Sequence, residues 1–176
     1  MKLIAKIMLI VSTAAALAGC ASPKEKDFRY TIDTFADLKV MRYQIPGWEN
    51  LTLQQKEYAY HLAEAAKWGR DILWDQNCKE NLRVRHAVEN ILNNYKGDRN
   101  CSDFEDFTVY AKRLFFSNGI HHHYAEDKFF PACSKEYFKS LLEAVGADDD
   151  DLLDVIYNPA RYPQRRSTES SGDIVA

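Results

Sequence analysis

The sequence is short of the features that mark several large functional classes. It has 4 cysteines in 176 residues. Cys20 stands apart near the N-terminus, and Cys78, Cys101 and Cys133 allow at most one internal disulfide, so the chain is no disulfide scaffold. None of them forms a close Cys-x-x-Cys pair of the kind a structural zinc site uses. There is no excess of basic charge. The formal net charge is −3, and removing residues 1–19, which carry two lysines and no acid, takes it to −5. A protein with no basic stripe does not read as a nucleic-acid binder. Gly-x-Gly-x-x-Gly, a phosphate-binding loop and a Gly-x-Ser-x-Gly elbow are all absent, which leaves dinucleotide, P-loop and serine-hydrolase chemistry without support. Also missing is any helix with two histidines four or five residues apart and a glutamate between them, the arrangement with which zinc hydrolases activate water. His61 and His86 stand singly in helical stretches and read as structural. The acidic run Asp148–Asp151 is no EF-hand, because Leu153 and Pro159 occupy the positions that need glycine and glutamate.

The N-terminus is distinctive. Lys2 and Lys6 precede eleven uncharged residues, Ile7 to Leu17, and Leu17-Ala18-Gly19-Cys20 follows. A charged start, a short apolar core and a small-residue cleavage site is the layout of a secretory signal. The core is shorter than the roughly 20 apolar residues needed to cross a bilayer. A cysteine where the core ends looks like a lipobox. Residues 1–19 therefore read as a lipoprotein signal peptide, Cys20 as the lipidated mature N-terminus, and residues 20–27 as a polar tether. The expected location is the cell envelope, anchored by lipid outside the cytoplasm on a periplasmic or outer-membrane face.

The remainder reads as mainly α with a minor β element. Leu38–Ile45 alternates apolar and polar residues, a strand period closed by Pro46-Gly47. Thr52 with Gln55 forms a capping box, after which Tyr58, Leu62, Ala65, Gly69 and Ile72 recur along one helical face. A second helix is expected over Lys79–Tyr95, with Val84, Val88, Ile91 and Tyr95 inward and Gly97 as its C-cap. Ser102 with Glu105 suggests another capping box ahead of Phe107, Ala111 and Leu114. Ser134 opens a fourth helix with Phe138, Leu141 and Val145 inward, and Asp148–Tyr157 a short fifth, since acids favour a helix N-terminus. Trp48, Trp68 and Trp74 fit a core or an interface. Arg83, Arg85, Arg165 and Arg166 are most simply surface charge. Residues 161–176 read as a polar tail or loop.

His121-His122-His123-Tyr124, just after Ser117-Asn118-Gly119, is the most conspicuous cluster. Three imidazoles suggest a metal, but neighbouring side chains on an extended segment point to opposite sides, so only His121 and His123 could share one. A third ligand would have to come from His61, His86, Glu126 or Asp127. The other reading is a loop of stacked or hydrogen-bonded imidazoles that lines a cleft.

Several blocks together resemble the N-terminal part of the dipeptidyl-peptidase III family in its Bacteroides-like bacterial form. They are Phe35-Ala36-Asp37-Leu38 with Arg42-Tyr43; Leu51-Thr52-Leu53 with Gln55-Lys56; Gly69-Arg70-Asp71-Ile72-Leu73 with Asp75-Gln76-Asn77; Asn94-Tyr95-Lys96-Gly97-Asp98; and Phe116 through Tyr124 with Lys128-Phe129 and Pro131. The resemblance covers about residues 28–160. It implies the helical part of a β-barrel-containing lobe in a two-lobed zinc peptidase that releases dipeptides from peptide N-termini. It places Asn118, His123 and Tyr124 at a substrate-binding cleft wall and makes short peptides the expected partners. The family's zinc sits on His-Glu-x-x-Gly-His and a later glutamate, none of which this sequence contains. No catalytic or metal residue and no resident cofactor is therefore expected in this chain. It reads as a truncated or split member that would need a missing C-terminal catalytic part, with its one strand pairing to strands supplied later. The alternative is a free-standing helical lipoprotein that binds peptide or a protein partner.

Overall fold

The computed structural model describes residues 28–165. The signal, Cys20 and the tether lie outside the described residues, as does the end of the tail. The described chain is mainly helical, as expected, and its minor β element is one two-stranded antiparallel sheet. No helix among the described residues is long and apolar enough to cross a membrane.

Two compact units are present. The first holds the strands: β1, Thr31–Phe35, pairs with β2, Leu38–Met41. The strand is thus shorter than the Leu38–Ile45 alternation, and its partner is local rather than supplied from further along the chain. A tight turn at Ala36-Asp37 makes this possible, with Ala36 at φ 48°. The hairpin continues through Arg42, whose N–H donates to the Tyr30 carbonyl at 2.9 Å and whose side chain donates to the Arg29 carbonyl at 2.8 Å. The turn residues Phe35–Asp37 belong with the second unit.

Among the described residues, that second unit contains six α-helices. α1 spans Leu53–Trp68, α2 Arg70–Asn77, α3 Asn81–Asn94, α4 Ser102–Ser117, α5 Lys135–Ala144 and α6 Asp150–Tyr157. The α1 cap is the box expected: Gln55 N–H donates to the Thr52 hydroxyl, and Thr52 N–H donates to the Gln55 side chain at 2.9 Å. The body of α1 differs from expectation. The periodic face of Tyr58, Leu62 and Ala65 buries nothing, and α1 has no buried residue at all. A helical stripe marks a face fit for burial, but burial requires a second surface, and the described residues provide none there. Gly69 also divides the helix, so Ile72 belongs to α2. Trp48 and Trp68 are exposed, and only Trp74 joins the core.

The core is assembled by α2 to α6. Val84, Val88 and Ile91 of α3 are fully buried at the spacing read from the sequence. They meet Phe104, Phe107, Ala111 and Leu114 of α4, Phe138, Leu141 and Leu142 of α5, and Leu152, Leu153, Val155 and Ile156 of α6. Boundaries shift where capping differs from the sequence pattern. Cys101, not Ser102, is the N-cap of α4, and it makes no side-chain cap bond. α3 ends on Tyr95 in extended geometry, and Gly97 is not left-handed. Ser134 does cap α5, accepting from Tyr137 N–H at 3.1 Å, while Val145 sits at the helix end half-buried.

The acidic run is more than a solvated helix start. Asp149 caps α6 by accepting from Leu152 N–H at 2.9 Å. Arg83 grips both Asp149 carboxylate oxygens at 2.6 and 2.7 Å and reaches Asp151 at 2.7 Å, tying α3 to the start of α6. Arg83 is therefore a fold contact rather than mere surface charge. The guanidinium holds the Asp149 carboxyl below the usual carboxylate range. Arg161 and Arg83 hold Asp151 down at about 2.

The first residues of the expected tail are also held. Lys128 N–H donates to the Pro163 carbonyl at 3.1 Å, and Arg165 N–H donates to the Glu126 carbonyl at 3.0 Å. The buried Lys128 ammonium donates to the carbonyls of Asn158 and Arg161 at 2.7 and 2.9 Å. Burial brings this lysine down to about 8. A lysine is almost never buried without such partners. Cys78, Cys101 and Cys133 are thiols, with no disulfide among the described residues.

Candidate functional site

The Ser117–Tyr124 stretch is set by the end of α4. Asn118 caps the helix in left-handed conformation, φ 53° and ψ 44°. Asparagine tolerates this region better than most residues do. Gly119 follows at φ 152°. A Cβ there would stand 2.3 Å from Nδ2 of Asn81, so only glycine fits. Asn81 is fully buried and works in both directions. Its amide donates to the Trp74 carbonyl at 3.0 Å, and its Oδ1 accepts from Ile120 N–H at 3.1 Å. One polar side chain in the core thus fixes where the histidine segment begins.

From there the chain forms a small antiparallel pairing. Phe129 N–H donates to the Ile120 carbonyl at 3.1 Å, and His122 N–H donates to the Asp127 carbonyl at 2.8 Å. The three imidazoles go separate ways. His121 is buried, with Nε2 2.8 Å from the Tyr162 carbonyl. A carbonyl only accepts, so Nε2 carries the proton and Nδ1 is a bare acceptor, which finds no partner among the described residues. His122 turns its Nδ1 onto its own loop, accepting from Tyr124 and Ala125 N–H at 3.2 and 3.0 Å. Its Nε2 lies 3.7 Å from Asp37. His123 packs among rings, edge-on to Phe116 at 5.0 Å and tilted against His122 at 4.4 Å and Tyr124 at 4.5 Å.

These contacts bear directly on metal binding. No group of three His, Cys, Asp or Glu among the described residues could hold a metal ion. The rings are turned to different partners: His121 Nε2 to the Tyr162 carbonyl, His122 Nδ1 to its own loop, and His123 to the Phe116 ring. Among the described residues the triplet is not gathered into a three-ligand set. The segment is a hydrogen-bonded loop whose rings meet edge-on or tilted.

His121 carries a pH signature. Burial lowers its affinity for a proton, and the nearby positive charges of Lys128 and Arg165 lower it further. The unfolded chain takes up a proton near pH 6.5 that the folded chain resists. Folding stability should therefore fall as pH drops below about 6.5. His123, lowered first by burial and then by His122, acts in the same direction. Thermal melts between pH 7.5 and 5.5 should show a falling midpoint. His121→Gln, whose amide can still donate to the Tyr162 carbonyl, should flatten that slope.

The three residues assigned to substrate contact fall into two groups. His123 meets Phe116 on one side and Tyr124 on the other, with Tyr124 85% exposed. Asn118 instead lines a cleft with Arg70, Trp74, Arg85, Glu89 and Phe115. The neighbours Phe115 and Phe116 mark the division, Phe115 meeting Trp74 and Phe116 meeting His123. Apart from Asn118, sequence reasoning missed this cleft. Arg85 is more than surface charge: it bonds Glu89 at 2.8 Å and Asp71 at 2.5 Å and lies 5.3 Å over the Trp74 ring. The one local signal was the Arg85–Glu89 spacing of a helical ion pair. In comparisons with known proteins, no family model and no curated protein matches this chain.

Proposed function

We propose that residues 28–160 form part of a dipeptidyl-peptidase III-like peptide-binding lobe, held at the cell envelope by lipid on Cys20. Short peptides are its ligands. The observation that carries the reading is the ledge at His123 and Tyr124, where a ring-packed imidazole and an open phenol sit side by side on a segment anchored in the core. A Tyr ring with one free face and a hydroxyl tip suits a peptide, offering apolar contact and a hydrogen bond together. The sequence lacks His-Glu-x-x-Gly-His, so by the resemblance the hydrolytic centre belongs to a part of the family fold that this sequence does not include.

The test uses the purified full chain. Tetra- and pentapeptides should bind, and Tyr124→Ala should weaken binding about tenfold without lowering the melting temperature. A dipeptide-arylamide should not be turned over, with or without added zinc. Stoichiometric tightly held zinc with turnover would overturn the assignment to a non-catalytic part, and absence of peptide binding would overturn the ligand.

A second reading has its own observation. Leu53, Tyr58, Tyr60 and Leu62 of α1, with Trp68 at its end and Ile72 and Leu73 of α2, are all exposed. An apolar surface of this kind commonly marks a protein-interaction face, which favours a helical lipoprotein that docks a protein partner.

A further inference from the structure

The cleft beside Asn118 has a volume of about 360 Å³. That lies within the range of small-molecule sites, about 300–1,000 Å³. Three helices build it: Arg70 and Trp74 come from α2, Arg85 and Glu89 from α3, and Phe115 and Asn118 from the end of α4. Phe115 is its half-buried aromatic wall, with the buried Trp74 behind. Trp74 and Phe115 meet edge to face with centroids 6.0 Å apart.

Its polar groups divide into those already committed and those still open. Arg85 is held by Glu89 and Asp71 and stacks on Trp74, so one cation and two acids are engaged with one another. Two groups make no hydrogen bond or ion pair with their side chains among the described residues: the Arg70 guanidinium at the exposed rim and the Asn118 carboxamide. A third group is orphaned. The Trp74 indole N–H is buried and has no acceptor among the described residues. All three can donate, and no uncommitted acid lines the cleft with them.

The geometry points to a binding site for a small aromatic monocarboxylate, its carboxylate on Arg70 and Asn118 and its ring against the half-buried Phe115. Guanidinium and carboxylate match in shape and charge. One unpaired cation balances one negative charge. A phosphate dianion would leave a second charge uncompensated near Glu89 and Asp71. The ligand could be a free acid or the C-terminal aromatic residue of a peptide, and the two share the same recognition chemistry. This site goes beyond the Tyr124 ledge and does not depend on it.

The test is a titration of the ¹⁵N-labelled full chain followed at the tryptophan indole N–H resonances, with Trp74→Phe identifying the signal of interest. Phenylacetate should shift the Trp74 resonance saturably, with Kd in about the millimolar range expected of so small a ligand. Arg70→Gln, at an exposed position, should weaken binding about tenfold. Asn118→Gly, which keeps the left-handed backbone, should weaken it about threefold. Phenylacetamide should give no saturable shift. Tyr124→Ala should leave phenylacetate binding unchanged, which separates this site from the peptide ledge. Gly-Gly-Phe binding more tightly than phenylacetate, with Gly-Gly-Phe-amide failing, would identify a peptide C-terminus as the ligand, and the reverse order a free acid. No saturable shift by either carboxylate, equal binding of the amides, or unchanged binding in Arg70→Gln would overturn the site.

Discussion

Phe138→Ala should lower the stability of this protein by about 4 kcal/mol, within the range seen when a phenylalanine is removed from a packed core. Phe138 is completely buried on α5. Its ring meets Phe107 at 5.4 Å, Tyr110 at 6.1 Å and Tyr157 at 6.1 Å, each edge to face. It therefore joins α4, α5 and α6 at one point. Truncation leaves a ring-sized void that none of these partners can fill, because each is fixed from elsewhere. Tyr157 donates to the carbonyls of Cys133 and Ser134 at 3.0 and 3.1 Å, and Phe107 packs on Phe104 at 5.5 Å. The lost burial and the lost ring contacts therefore add. For a chain of this size the melting temperature should drop by roughly 10–15 °C. Urea unfolding should show a lower midpoint with an unchanged slope, the mark of a stability change without a change in the unfolded state. Phe138→Leu should recover most of the loss. Tyr58→Ala on α1 supplies the contrast. That ring is 67% exposed, and its removal should stay within about 0.5 kcal/mol. Equal losses at the two positions would mean that α1, not the α4–α6 contact, carries the core.

This contrast also shows what the sequence could disclose. Val84, Val88 and Ile91 were legible because a helix repeats its inward face every three to four residues, and α4 to α6 supply the surface that buries it. Tyr58, Leu62 and Ala65 carry the same period, yet they stay unburied. Periodicity reports a face and says nothing of its partner. The capping box at Thr52 and Gln55 was legible because all its atoms lie within four residues. Ser102 looks equivalent but is already inside its helix, since Cys101 takes the cap position. β1 was not legible because Thr31–Phe35 is a short run whose assignment depends on the turn at Ala36-Asp37, where a non-glycine residue adopts positive φ. Lys128 has nothing in its local sequence to set it apart from a surface lysine. Its burial depends on carbonyls about thirty residues further on. The histidine triplet was visible as a cluster, but its chemistry was not, because the Tyr162 carbonyl and the Phe116 ring decide it. The cleft beside Asn118 was least legible of all. Arg70, Trp74, Arg85, Glu89 and Phe115 become neighbours only when α2, α3 and α4 pack.

The junction that places Asn118 and the histidine segment should be the most sensitive backbone position in the site. Gly119→Ala is expected to destabilise by about 3 kcal/mol, from two sources. The first is conformational: at φ 152° a residue with a Cβ is strained, a cost of about 1 kcal/mol or somewhat more. The second is steric, since the new Cβ would lie 2.3 Å from Nδ2 and 2.7 Å from Cγ of Asn81. Asn81 cannot step aside freely, because moving it breaks its bonds to the Trp74 carbonyl and the Ile120 N–H. Leaving such buried groups unpaired costs about 1–3 kcal/mol each. Asn81→Ala alone should therefore cost about 3 kcal/mol, with space opened but both backbone groups stranded. The double variant tells the two sources apart. With Asn81 already shortened, Gly119→Ala should add only its backbone strain, about 1 kcal/mol, and the cycle should show a coupling of about 2 kcal/mol. Strict additivity would mean that the clash is relieved by movement of the chain rather than resisted by Asn81. The site gives an independent readout. The bond from Ile120 N–H to Asn81 sets where His121, His122 and His123 begin, so both single variants should weaken the peptide binding proposed at Tyr124 at temperatures well below their own melting transitions. Full binding in a cold, folded Asn81→Ala protein would mean that the pairing of Ile120–His122 with Asp127–Phe129 positions the ledge unaided.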